Sequence, residues 1–269
     1  MSRLSIHPTA VVAAGARLGP GCRVHPFAVI GPDVSMGPNN EVHSHAVIEG
    51  RTEIGAGNVF HTHCHVGGAP QHAGWRRDHA QHLRIGDDNV IGEYASVSGG
   101  SHDPAGGTRL GDRNLLMAYA HVGHDCVLAN DIRMANAATL AGHVQVHDRA
   151  WLSGHTAVHQ FVRIGEHAFV AGGAIVTQDV PPYCLVQGDR ARLVALNHVG
   201  LTRSGVASAE RAALRLAFRM LFLRPGSLAD RIAAVREELG WSPSVARLVA
   251  FLQSSERGCI TAVRHAAAT

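Results

Sequence analysis

The sequence predicts a mainly β protein: a parallel β-helix built from six-residue repeats, followed by a C-terminal α-helical cap. Three observations carry that expectation. Large apolar residues recur at every sixth position from Ile6 to Val176, a smaller residue often stands four positions later, and the C-terminal part of the chain exchanges this period for helix-capping signals.

The register runs through Ile6, Val12, Leu18, Val24, Ile30, Met36, Val42, Ile48, Ile54, Phe60 and Val66. It resumes at Ile85, Ile91 and Val97, and again from Leu110 through Leu116, Val122, Leu128, Met134, Leu140, Val146, Leu152, Val158, Ile164 and Val170 to Val176, making 26 hexads. A helix drifts out of phase with a period of six, and a lone amphipathic strand alternates with a period of two, so neither fits. One bulky and one small inward residue per hexad fill a narrow prism with three flat sides. Each coil then takes 18 residues, and coils about 4.8 Å apart stack to a column of roughly 40 Å. Glycine often follows the large residue, as at Gly19, Gly37, Gly55, Gly111 and Gly123, which is expected to let the chain turn each corner. So thin a core has little room for aromatic residues, which make up 5% of the chain.

Two insertions interrupt the register, at about residues 69–84 and 99–109. A prism coil cannot absorb them, so outward loops are expected, where binding groups tend to sit on a rigid scaffold; tolerated surface length is the bland alternative. The repeats are expected to stop at Asp179-Val180-Pro181-Pro182-Tyr183, because proline cannot donate to a ladder. The expected division is a β-helix over residues 1–184 and a connector with a helical domain over 185–269. Within the latter, Ser208 is expected to cap a helix ending at Pro225-Gly226. Ser227-Leu228-Ala229-Asp230 reads as a capping box for a second helix ending at Gly240, and Ser242-Pro243 opens a third.

Composition narrows the function. The net charge is +3 and there is no run of five basic residues, so a nucleic-acid partner is not indicated, while an anionic small molecule stays compatible. All 24 basic residues are arginine. The stretch Met1-Ser2-Arg3-Leu4-Ser5-Ile6-His7-Pro8 lacks the marks of a signal peptide, and no segment approaches the ~18 apolar residues of a membrane span. A cytoplasmic location without membrane insertion is expected. The five cysteines form no C-x-x-C pair and imply no disulfide framework.

Within the repeats, no histidine falls on the large apolar position or the small inward one, so the histidines point outward or sit at corners. His124 is two residues after Val122, with Asp125 next. His143 follows one coil on from Asp125, His121 is expected on the preceding corner, and His159-Gln160 falls just short of a second coil onward. These groups are expected to gather on one edge or face. A carboxylate beside an imidazole fixes its tautomer and stabilises the cation formed on accepting a proton. His124 with Asp125 is therefore a candidate general base for a substrate hydroxyl; no serine stands in a nucleophile-elbow motif. Clustered histidines also suit zinc, the competing reading.

Four strings narrow this further: Leu115-Leu116-Met117-Ala118-Tyr119-Ala120-His121-Val122-Gly123-His124-Asp125-Cys126, Asn136-Ala137-Ala138-Thr139-Leu140-Ala141-Gly142-His143-Val144, Thr156-Ala157-Val158-His159-Gln160-Phe161 and Gln178-Asp179-Val180-Pro181-Pro182-Tyr183. Together they resemble the acyl-(acyl carrier protein):UDP-N-acetylglucosamine O-acyltransferases, hexapeptide-repeat enzymes of lipid A synthesis, over nearly the whole chain. The resemblance implies a left-handed β-helix, opposite to the general crossover preference. It implies that His124 removes the proton of the sugar 3-hydroxyl and Asp125 orients it. The hydroxyl attacks the thioester of a 3-hydroxyacyl chain on acyl carrier protein, and the Gly142 N–H stabilises the oxyanion. By the same resemblance His121, His143, His159 and Gln160 line the sugar and acyl sites, and Gln71, Asn197 and Arg203 contact substrate. Gly172 leaves room for a longer acyl chain. The family works as a homotrimer with sites between subunits, and no metal or other cofactor is expected.

The periphery departs from the family pattern. An acidic residue and a lysine of the first loop correspond to places near His72 and Gly74, with Arg76 or Arg77 as a substitute cation of different geometry. Ser98 stands where the family carries a histidine. Val199 and Ser204 replace a glutamate and one of two paired arginines, while Asn197 and Arg203 are kept. Three alternatives therefore stay open: a different acceptor such as an amino-sugar nucleotide or another hydroxyl or amine, a non-catalytic ligand-binding relative, and a histidine-bound metal as in hexapeptide-repeat carbonic anhydrases. Hexads beginning at Ile6 leave no room for the extra N-terminal domain of the pathway's N-acyltransferase.

Overall fold

The computed structural model describes residues 3–76, 82–101 and 106–263. Its first 26 strands run from β1 (Ser5–Ile6) to β26 (Ile175–Val176), and each contains one large apolar residue of the sixfold register. They form three parallel sheets, one for each side of a prism. Successive coils pair Ser5 with Arg23 and Arg23 with Glu41. Across the first insertion Val59 pairs with Val90, and across the second Val90 pairs with Leu115. The ladder thus continues across both insertions.

The corners are built differently from the expectation. The left-handed residue of the turn sits third after the large one, as in Phe27, Asp125 and His143 at φ 61°, 59° and 61°. The glycine directly after the large residue serves close stacking instead. A Cβ on Gly123 would lie 2.8 Å from the Ala141 carbonyl carbon, and one on Gly19 would lie 2.5 Å from that of Gly37.

The small inward position is also not always apolar. Asn40, Asn58, Asn89 and Asn114 occupy it along one corner and are buried. Asn58 Nδ2 donates to Asn40 Oδ1 at 2.9 Å, and Asn89 Nδ2 to Asn58 Oδ1 at 3.0 Å. Each of the four Oδ1 atoms accepts a backbone N–H from the next coil. The amides form a ladder that leaves these polar groups satisfied inside the prism.

Past Pro181-Pro182, β27 (Cys184–Gln187) still pairs in parallel with the strand Phe169–Val170, and β28 (Arg192–Leu196) returns antiparallel to it. The helices α1 (His198–Arg203), α2 (Ser208–Phe218), α3 (Leu228–Leu239) and α4 (Pro243–Gln253) follow. A π-helical turn, Arg219–Leu223, continues α2 and buries Met220, Leu221 and Phe222. Ala207, not Ser208, is the N-cap of α2 and offers no side-chain bond. The other caps form as expected: Ser227 accepts the Asp230 N–H at 3.1 Å and Ser242 accepts that of Val245 at 3.3 Å. Buried Asp179 ties the tail to the prism, accepting from Arg163 Nε and Ser255 Oγ at 2.9 Å each. Among the described residues, no helix is long and apolar enough to cross a membrane.

Candidate active site

The strand His121–Val122 lies on one side of the prism and Val127–Leu128 on the next. The corner between them is Gly123-His124-Asp125-Cys126. Val122 and Cys126 point inward and are fully buried. Burial pushes the Cys126 thiol up to about 12, and its Sγ donates to the Ala141 carbonyl at 3.1 Å. The sulfur is core packing, and His124 and Asp125 are left on the outside.

His124 is nevertheless only 9% exposed. Its cover comes from neighbours outside the core. The ring of His72, in the first insertion, stands edge-on to it at 5.3 Å, and that of His143, one coil further on, at 5.1 Å. Beneath it lies Gly142, where a Cβ would meet His124 Cε1 at 2.5 Å and Nε2 at 2.6 Å. Only glycine lets the imidazole lie so close to the next coil.

Asp125 is held from three directions. His124 Nδ1 lies 2.8 Å from its Oδ2. Ser101, in the second insertion, donates its backbone N–H to Oδ1 at 3.0 Å and its hydroxyl to Oδ2 at 2.5 Å. The Asp125 N–H in turn donates to Thr108 Oγ1 at 2.9 Å. Burial works to raise the pKa of this carboxyl, but the Ser101 and His124 hydrogen bonds outweigh it and hold it below the ordinary value. An ionised Asp125 accepts the proton on Nδ1, so the lone pair of His124 is on Nε2, the nitrogen beside Gly142. Among the described residues, the Gly142 N–H donates to no protein acceptor. The base nitrogen thus lies against a glycine of the next coil whose backbone donor is unengaged.

Of the other expected residues, His143 joins this group directly. Its Nε2 is 3.6 Å from Asp125 Oδ2, and its ring stacks on Phe161 at 4.6 Å and 13°. His121 borders the group from the strand His121–Val122, where it pairs with Ser96 and Thr139, and not from a corner as expected: Ser96 Oγ lies 2.8 Å from its Nδ1, and burial first, then the neighbouring His124, lowers its pKa. His159 and Gln160 are exposed, and Arg257 Nη2 lies 2.8 Å from His159 Nδ1. Gly172 is exposed at a later corner, and Gln71 is exposed beside His72 in the first insertion. Arg76 is exposed there too, whereas Arg77 lies outside the described residues.

Two adjoining cavities of about 470 and 520 Å³ follow this edge and share Asp125, Val127 and His143. His72, Ser101 and Arg109 line the first, and Phe161, Arg163 and Arg257 the second. Asn197 and Arg203 are not part of this groove. They line a separate cavity of about 470 Å³ against Trp151 and Phe169, with Val199 and Ser204 beside them. Asn197 there caps α1, its Oδ1 accepting the Gly200 N–H at 3.0 Å and its Nδ2 donating to the His167 carbonyl at 2.8 Å. Ser98 is buried. His124, Asp125 and His143 place ligand-competent atoms within 4.8 Å of one another, so the donor set of the metal alternative is present as well.

Ser101 and Thr108 are hydroxyl residues within the glycine-rich second insertion, where no repeat pattern marks them, and each gains its role only through its contact with Asp125.

Residues 179–260 match the family described as "Udp N-acetylglucosamine O-acyltransferase; Domain 2". The chain is 42% identical over 255 residues to the acyl-[acyl-carrier-protein]–UDP-N-acetylglucosamine O-acyltransferase of Anaeromyxobacter sp. (strain K), covering 95% of this chain and 99% of that protein. It is 45% identical over 253 residues to the enzyme of that name from Myxococcus xanthus (strain DK1622), covering 94% and 98%. Among solved structures, the UDP-N-acetylglucosamine acyltransferase of Francisella novicida superposes with a TM-score of 0.91 at 32% identity, covering 96% of this chain and 94% of that one. The acyltransferase of the same name from Campylobacter jejuni gives 0.89 at 35%, covering 97% and 100%. The fold is therefore the left-handed parallel β-helix with a helical cap that the four sequence strings implied, and the chain belongs to the acyl-[acyl-carrier-protein]–UDP-N-acetylglucosamine O-acyltransferase family.

Proposed function

We propose that this protein transfers a 3-hydroxyacyl group from acyl carrier protein to the 3-hydroxyl of UDP-N-acetylglucosamine, with His124 as general base. The observation that carries the chemistry is the 2.8 Å contact of His124 Nδ1 with Asp125, which leaves the Nε2 lone pair beside Gly142. Nε2 takes the proton of the sugar hydroxyl as its oxygen bonds to the thioester carbon. Asp125 stabilises the imidazolium that results. The oxygen of the tetrahedral intermediate accepts from the Gly142 N–H, a contribution of about 3 kcal/mol for a well-aimed donor. Collapse breaks the carbon–sulfur bond, and the departing sulfur takes the proton from Nε2. His124 returns to its starting state.

The groove supports an anionic acceptor, since Arg109 and Arg257 flank it. His143 lies where the two cavities join; in this reading His121, His159, Gln160 and Gln71 complete the sugar and acyl sites, and Gly172 leaves acyl-chain space. The acceptor itself is supported by the relatives at 42% and 45% identity that are named for UDP-N-acetylglucosamine. We further infer a homotrimer. Asn197 and Arg203 lie on a different side of the prism from His124, and a neighbouring subunit turned about a threefold axis would bring that side to the groove. A cytoplasmic location belongs to the same reading, with five free cysteines in its support.

Incubation with a panel of 3-hydroxyacyl carrier proteins and several UDP sugars, read by mass spectrometry, tests the proposal. It expects 3-O-acylated UDP-N-acetylglucosamine. Product only with another acceptor, or ligand-dependent melting with no product, would replace it with one of the alternatives.

A further inference from the structure

A second histidine cluster lies several coils before His124, on a different edge of the prism. His25, His43 and His61 each directly follow the large apolar residue of consecutive coils, so their rings stack. The centroids are 4.9 Å apart for His25 and His43 and 5.0 Å apart for His43 and His61, with interplanar angles of 18° and 25°. Glu41 reaches out beside them from the strand Glu41–Val42. Its Oε1 is 2.8 Å from His25 Nε2 and 3.7 Å from His43 Nε2, while Arg23 donates to its other oxygen. The ligand-competent atoms of His25, Glu41 and His43 all lie within 4.8 Å of one another.

We propose that His25, Glu41 and His43 form a zinc site that clamps two consecutive coils of the prism. Two imidazoles and one carboxylate are a recognised zinc donor set, with ligand bonds of about 2.0–2.2 Å. A tetrahedral ion of that size needs its ligand atoms about 3.4 Å apart; the two Glu41 contacts, at 2.8 and 3.7 Å, bracket that spacing, and all three ligand atoms lie within 4.8 Å of one another. Water completes the coordination.

The location gives the clamp something to do. The first coils are the most open part of the β-helix, with Ile6 43% and Val11 60% exposed. An ion joining the coil of Val24 to that of Val42 pins this end. The site is separate from the groove, so acyl transfer does not depend on it.

The test uses untagged full-length protein, stripped with a chelator and titrated calorimetrically with zinc alone, beside a His25→Ala/His43→Ala variant. The expected result is one more zinc per chain bound by the wild type than by the variant, and a zinc-dependent rise in melting temperature confined to the wild type. Acyl transfer, where the wild type shows it, should be equal in both; circular dichroism checks folding independently of the reaction. Glu41→Gln, nearly unchanged in shape, should lose the same zinc. Equal zinc content in wild type and both variants would overturn the proposal and assign any bound ion to His124, Asp125 and His143.

Discussion

The imidazole of His124 lies over the α-carbon of Gly142 so closely that a methyl group there would come within 2.6 Å of Nε2. One contact accounts for two features. It requires glycine at 142, and it sets the backbone of that glycine against the nitrogen that carries the lone pair. The stacking of coils creates this relationship, since His143 N–H donates to the His124 carbonyl at 2.9 Å and locks the two corners in register.

Gly142→Ala is accordingly expected to remove activity while sparing the fold. The three atoms nearest to the new methyl group all belong to the His124 ring, a side chain that can move aside. We expect kcat to fall about 100-fold or more, the scale of a displaced general base, with a melting temperature close to that of the wild type. Steady-state kinetics and circular dichroism check both parts.

Gly123→Ala should do the reverse. Its methyl group would lie 2.8 Å from the Leu140 oxygen and the Ala141 carbon, both backbone atoms of the next coil. The coils must part to admit it, and overpacking of this kind costs about 1–3 kcal/mol. Urea unfolding should show a loss on that scale, larger than for Gly142→Ala.

Ser101→Ala removes the hydroxyl that donates to Asp125 Oδ2. A hydrogen bond to a charged group contributes about 1.5–3 kcal/mol, so kcat/KM is expected to fall about 10- to 100-fold. The pH dependence has a definite sign. A carboxyl held below its ordinary value stabilises the folded state above that value, and the contribution is lost as pH falls through the depressed one. Without Ser101 the pKa of Asp125 rises toward the value burial favours, so the variant should unfold in acid at a higher pH than the wild type.

The β-helix was legible because each hexad repeats one physical requirement, a large residue filling the prism. Each of the 26 positions accordingly lies in its own strand. The corner chemistry was legible only in outline. Glycine after Val122 suggested a turn, but its reason is contact with Ala141, which no local pattern displays. His124 and Asp125 could be placed outside the core by register, and their separation from Val122 and Cys126 needed nothing more. Their burial could not be read this way, because it depends on His72 and Ser101 folding back from insertions that lack the repeat. Asn197 shows the same limit: its capping of α1 and its bond to the His167 carbonyl join chain segments that the sixfold period does not relate.

In the proposed reaction His124 is the base for acyl transfer to the sugar hydroxyl. The most direct measurement compares initial rates of 3-hydroxyacyl transfer from acyl carrier protein to UDP-N-acetylglucosamine for the wild type and His124→Ala, at equal concentrations of folded protein. General-base catalysis contributes about 10²- to 10⁴-fold. The wild type should be active and the variant slower by at least the lower figure, with an unchanged circular dichroism spectrum. A folded His124→Ala that turns over within a few-fold of the wild type would contradict this.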